Sequence, residues 1–106
     1  MSLPTEDDIG KALKYLAETD IPFAKTMAHV KAMEYQLKTI KGLAFLEAKG
    51  TVADRTAESE SCLTYRTWVN DFENSYAEMK TMESKRKRAE LTIDVWRSIN
   101  ANRRQG

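Results

Sequence analysis

The chain has 106 residues, of which 42% are hydrophobic and 31% charged, with only 4 Gly and 2 Pro; that supports one domain with a modest core, built from amphipathic helices with solvated outer faces. No apolar run nears the ~20 residues that span a bilayer, the acidic opening MSLPTEDDIG lacks the apolar heart of a secretory signal, and the lone Cys62 has no internal disulfide partner, so the expected home is the cytoplasm, that of the host cell if the chain is phage-encoded. The net charge of +1 averages four blocks, −3 over residues 1–20, +3 over 21–50, −4 over 51–84 and +5 over 85–106, which can pair segments within a subunit, pair subunits, or leave basic zones to an anionic partner.

Thr5 followed by Asp8 is a capping box, and Glu6, Asp7 and Asp8 suit the positive end of a helix dipole. A short first helix is predicted over 6–18, with Ile9, Ala12, Leu13 and Leu16 on one face. Asp20-Ile21-Pro22 reads as a break and restart, since Asp caps and Pro suits a first turn. A second helix is predicted over 22–49. In it Val30, Met33, Leu37, Ile40 and Ala44 are spaced 3, 4, 3, 4, the seam of a coiled coil, with Phe23 and Met27 upstream. Leu43, Phe45 and Leu46 widen the apolar surface near its end, and Gly50 is the expected left-handed stop.

After a turn with Thr51 or Asp54 as cap, a third helix is predicted over 54–102, a stretch without Gly or Pro. Its seam runs through Cys62, Tyr65, Val69, Phe72, Tyr76, Met79 and Met82 and on through Arg86, Ala89, Ile93, Trp96 and Asn100. Two successive steps of three around Met79 form a stammer, so a bend or break is expected near Lys80 to Ser84. At 1.5 Å per residue the third helix would overhang the second by about two dozen ångströms. The expected fold is therefore all-α: a helical hairpin with a long C-terminal and a short N-terminal helix, assembling into a coiled-coil-like homo-oligomer because one copy cannot bury every seam.

No residue set supports catalysis or a cofactor. His29 has no second His or Cys at ligand spacing, and a helix-surface role is the better reading. Cys62 lies on the apolar seam and reads as a small buried hydrophobe. Met27, Met33, Met79 and Met82 read as core, and Trp68, one step off its seam, as the edge of the core or a subunit contact. The strongest candidate is Lys85-Arg86-Lys87-Arg88, whose four consecutive positions point in every direction around a helix. Arg86 falls on the seam itself, which implies a seam open or solvated there. Arg97, Arg103 and Arg104 add charge beyond it, and Lys31, Lys38 and Lys49 form a stripe on the second helix. Such stripes meet phosphates, and aromatic stacking adds ~1–3 kcal/mol per base; the alternative is a solvated or intersubunit-paired charge face.

The segment Gly50-Thr51-Val52-Ala53-Asp54-Arg55, with Ala57, Tyr65, Arg88-Ala89-Glu90, Ile93 and Val95-Trp96-Arg97-Ser98, resembles a family of small phage and prophage proteins that sit among replication and recombination genes. The plan of a Lys-rich helix, a turn and a long helix ending in a Trp-Arg element is similar to the UvsY-like recombination mediators, over roughly residues 12–104. That resemblance implies closed rings of several subunits that bind single-stranded DNA and help load a recombinase onto strands covered by single-strand-binding protein. It makes Lys31, Lys38, Lys85, Arg86, Lys87 and Arg88 the DNA contacts. The rival expectation is a non-enzymatic adaptor or virion-assembly scaffold whose charge blocks serve protein pairing only.

Overall fold

A computed structural model describes residues 3–105; Met1, Ser2 and Gly106, at the ends of the predicted domain, lie outside them. Among the described residues the fold is all-α, with α1 at Glu6–Glu47, α2 at Val52–Ser61 and α3 at Leu63–Gln105. The Thr5 box forms as expected. The Thr5 backbone N–H donates to the Asp8 carboxylate at 2.8 Å and the Asp8 N–H to the Thr5 hydroxyl at 3.2 Å. The Thr5 N–H is also the first reason that the Asp8 carboxyl sits below its ordinary range, followed by the Thr5 side chain and, more weakly, Lys11.

The predicted break at Asp20-Ile21-Pro22 does not occur: α1 runs through it, with Pro22 inside. An interior proline removes the N–H that would bond the carbonyl four residues back, here Glu18, and costs about 3 kcal/mol. The turn before it is held from outside. Arg86 of α3 donates to the Leu16 carbonyl at 3.0 Å and to the Thr19 hydroxyl, and pairs with Asp20. Asp20, expected to cap a new helix, is thus engaged by α3 instead.

The turn after α1 follows the predicted chemistry. Gly50 is left-handed at φ 111°, and Thr51 and Asp54 form a reciprocal capping box at 3.2 Å each way. A Cβ at Gly50 would lie 2.9 Å from the Asp54 Oδ2, so both backbone and space call for glycine. Gly50→Ala is expected to cost about 1–3 kcal/mol in urea unfolding; a change within about 0.5 kcal/mol would show that the turn adapts freely. Arg55 completes the corner, its Nε donating to the Phe45 carbonyl at 3.1 Å and its guanidinium lying 4.5 Å from the Phe45 ring centre.

A second difference lies at Cys62, which is extended (ψ 145°) and separates α2 from α3, where one helix from 54 to 102 was predicted. No Gly or Pro marks the site. Hydroxyls do: Thr56 donates to the Val52 carbonyl, Ser59 to Thr56 and Ser61 to Glu58, side chains that compete for backbone acceptors and weaken a helix. Over Lys80 to Ser84, where a bend or break was expected, α3 continues without interruption.

Because α1 absorbs two predicted helices, α1 and α3 have 42 and 43 residues. The predicted length mismatch is therefore absent, and with it the argument that such a mismatch compels assembly. The chain divides into two compact units, 1–25 with 80–106 and 26–79. In the first, the start of α1 packs antiparallel on the end of α3 through Ala12, Ala89 and Ile93, with Tyr15 and Leu16 half-buried against them. In the second, the rest of α1, α2 and the start of α3 bury Val30, Met33, Ala48, Met79 and Ser59. The predicted seam is largely the core: Val30, Met33, Met79 and Ile93 are buried, while Leu37, Ile40, Tyr65, Val69, Phe72 and Trp96 are half-buried. Tyr76 is exposed, with its ring centre 5.9 Å from that of Phe72.

Candidate nucleic-acid interface

In the 26–79 unit, Lys31, Tyr35 and Lys38 occupy positions i, i+4 and i+7 of α1 and so share one stripe. All three are exposed, Tyr35 to 62%. The Lys38 ammonium lies 5.8 Å from the Tyr35 ring centre, within cation–π reach. Lys31 makes no ion pair among the described residues; Glu34, three residues after Lys31 and four before Lys38, shares their side of the helix. Tyr35 was not singled out by the sequence reading. Its signal was there, four residues after one lysine of the stripe and three before the other. Lys49, predicted on the same stripe, falls beyond the end of α1. Nearby Lys41 is engaged elsewhere, 3.0 Å from Glu60 of α2, and that hydrogen bond raises its pKa.

The basic cluster in the other unit separates into three kinds of side chain. Arg86 is a correction: the seam is not open there. Its side chain is only 14% exposed, bonded to Leu16, Thr19 and Asp20 as above, with its guanidinium 5.3 Å from the Phe23 ring centre. Three of the five guanidinium N–H donors are thus committed to α1. Lys87 is exposed but reaches Glu83 at 3.3 Å, one helical turn back, while Lys80 approaches the same carboxylate at 3.5 Å. The hydrogen bond from Lys87, then the charge of Lys80, holds the Glu83 carboxyl below its ordinary range. Lys85 and Arg88 are exposed, make no ion pair among the described residues, and line an open groove with Tyr15, Leu91 and Val95. Arg97 is exposed, and Arg103 and Arg104 stand beside Trp96 and Asn100 near the start of α1.

His29 is exposed and Cys62 half-buried. Among the described residues no three of His, Cys, Asp or Glu cluster as metal ligands, and no helix is long and apolar enough to cross a membrane. No protein-family model matches the chain, nor does any curated protein or solved structure.

Proposed function

We propose that the protein is a non-enzymatic accessory of phage or prophage DNA recombination or replication that acts in the host cytoplasm, holding single-stranded DNA as a homo-oligomer. The observation that carries this reading is the Lys31–Tyr35–Lys38 stripe, an exposed aromatic between two exposed cations. Two ammonium groups about one helical turn either side of the ring meet successive phosphates of a flexible strand and release its counterions. The ring offers a stacking platform to any base, so the grip is indifferent to sequence. One such stripe is weak. Copies assembled together multiply it, since every contact after the first is made at high effective concentration. The exposed apolar residues Leu13, Ile21, Leu43, Leu46, Leu91 and Val95 supply a reason for copies to associate that does not depend on helix length. A recombinase or a single-strand-binding protein would be the protein partner implied by the likeness to phage mediators.

A titration of labelled oligo-dT at about 50 and about 200 mM salt tests it. The wild type is expected to bind at low salt and weaken as salt rises. Tyr35→Ala is expected to weaken binding by roughly 5- to 100-fold through lost stacking, and Lys31→Glu with Lys38→Glu to abolish it and flatten the salt slope. Absence of binding at low salt, or variants that bind as the wild type does, would remove the DNA role. The adaptor reading would then stand, favoured by the many cations already paired within the chain: Lys11 with Asp7, Lys14 with Glu18, Lys41 with Glu60, Arg86 with Asp20 and Lys87 with Glu83.

A further inference from the structure

The face of α1 that carries Lys31, Tyr35 and Lys38 continues past Lys38. Gly42 and Phe45 follow at steps of four and three, so all five positions share one side of the helix. At Gly42 that face has a notch. Glycine inside a helix is destabilising relative to alanine. Packing gives no return for it here, because a Cβ at Gly42 would meet nothing within 4 Å. The notch opens into a groove of about 390 Å³ between α1 and α2, lined by Lys38, Lys41, Gly42, Phe45, Thr56 and Ser59. We propose that this groove takes an unpaired base of the strand held by Lys31, Tyr35 and Lys38, and that this contact sets single strands apart from duplex. The inference rests on the DNA reading above and adds to it a second base subsite and the means of selection.

Groove and stripe are continuous through Lys38, which lines the groove and lies 5.8 Å from the Tyr35 ring centre. Tyr35 and Gly42 stand about 10 Å apart along the helix axis, the reach of about three stacked nucleotides. A strand with one base on Tyr35 therefore passes Lys38 and brings a later base to the notch. The charges of the groove favour a base there over a phosphate. Lys41 is held by Glu60 at 3.0 Å, and Glu34 shares the side of Lys38, so each lysine has an acid near it. Those acids repel a phosphate inside the groove and leave the space over Gly42 and Phe45 to an uncharged ring. On the α2 wall the Thr56 hydroxyl donates to the Val52 carbonyl at 2.8 Å and the Ser59 hydroxyl to the Thr56 carbonyl at 2.7 Å. Ser59 is buried, whereas half-buried Thr56 keeps an oxygen lone pair for an N–H of a base edge. In a duplex those edges are paired and the faces stacked, so neither Tyr35 nor the groove reaches a base without unpairing it.

Fluorescence anisotropy with labelled oligo-dT and with a hairpin duplex, both at about 50 mM salt, tests the groove. The wild type is expected to bind oligo-dT on the order of 10-fold more tightly than duplex, the effect of one or two base contacts. Gly42→Leu is expected to keep the helical circular dichroism, to lose roughly 10-fold in oligo-dT affinity and to bind duplex as the wild type does. Gly42→Ala is expected to raise the thermal midpoint, since its methyl group meets open space; a lower midpoint would show that the glycine serves the fold instead. Photocross-linking of the wild-type chain to oligo-dT carrying an iodinated deoxyuridine gives a reading that needs no variant. Adducts are expected at both Tyr35 and Phe45. A wild type that binds no oligo-dT would remove the DNA reading and the groove with it. Binding that Gly42→Leu leaves unchanged, or adducts at Tyr35 without any at Phe45, would overturn the groove and spare the stripe. Equal affinity for duplex would overturn the selection of single strands.

Discussion

Replacing Arg86 by alanine is expected to lower the unfolding free energy by about 2–4 kcal/mol, among the largest effects of any charged residue in the chain. Hydrogen bonds from a charged donor contribute about 1.5–3 kcal/mol each when partly buried, and two go to the Leu16 carbonyl and the Thr19 hydroxyl. The pair with Asp20 adds little, because the Asp20 side chain is 65% exposed and solvent screens it; the Phe23 ring at 5.3 Å adds about 0.5–1 kcal/mol. Arg86→Lys is expected to lose most of the same energy, since one ammonium cannot fork to three acceptors spread over a turn. Pro22→Ala gives the Glu18 carbonyl back its helical donor, so the turn needs less support from α3. The cost of Arg86→Ala should then fall measurably in a Pro22→Ala background. Urea unfolding of the four chains closes the cycle. An Arg86→Ala cost under about 0.5 kcal/mol, or no coupling to Pro22, would show that the guanidinium merely rests on α1.

Arg86 also shows where the sequence was legible and where it was not. Its place on the seam follows from the 3 and 4 spacing that correctly marks Met79, Ala89 and Ile93 as buried. Burial of apolar groups is a local, periodic signal, and it carried the all-α fold, while turn chemistry, equally local, marks the Thr5 capping box, the Gly50 stop and Thr51 or Asp54 as the next cap. What a seam arginine does is not local. The partners Leu16, Thr19 and Asp20 lie 66 to 70 residues away in sequence, and spacing alone cannot tell a solvated guanidinium from one forked onto another helix. The same blindness produced the break at Pro22, where chain chemistry favours a stop that tertiary contacts override. Cys62 is the opposite case: absence of Gly and Pro predicts continuity, yet Thr56, Ser59 and Ser61 compete for the backbone and the helix is interrupted. The DNA candidates divide accordingly. Lys31 and Lys38 lie on one face by helical arithmetic alone, whereas the four consecutive residues 85–88 split into a tie, a local ion pair and two groove residues only once α1 is packed beside them.

Truncating Ile93 to alanine is the second large effect expected, about 3 kcal/mol within the 2–5 kcal/mol range for such core changes. The unit that holds it has little to spare. Its buried cluster is Ala12, Ala89 and Ile93, with Tyr15 and Leu16 only half-buried against it; Ile93 is the large side chain of that cluster, and Ile9 is also buried in the unit. The two alanines allow α1 and α3 a close approach, and Ile93 fills the space between them; its loss leaves a void that alanine neighbours cannot extend to fill. Against a total of 5–15 kcal/mol for an ordinary domain, that is a large fraction. At about 4–8 °C per kcal/mol for a chain of this size, the midpoint should drop by roughly 10–25 °C. Leu63→Ala, at a position 81% exposed in the other unit, is the control and should stay within about 0.5 kcal/mol. Hydrogen exchange locates the damage: amides of α1 before Thr26 should lose protection in Ile93→Ala chains, because their packing partner is the altered stretch of α3. If Ile93→Ala and Leu63→Ala proved equally mild, the pairing of the first turns of α1 with the end of α3 would not be what holds that unit together, and the groove built on that pairing would lose its walls.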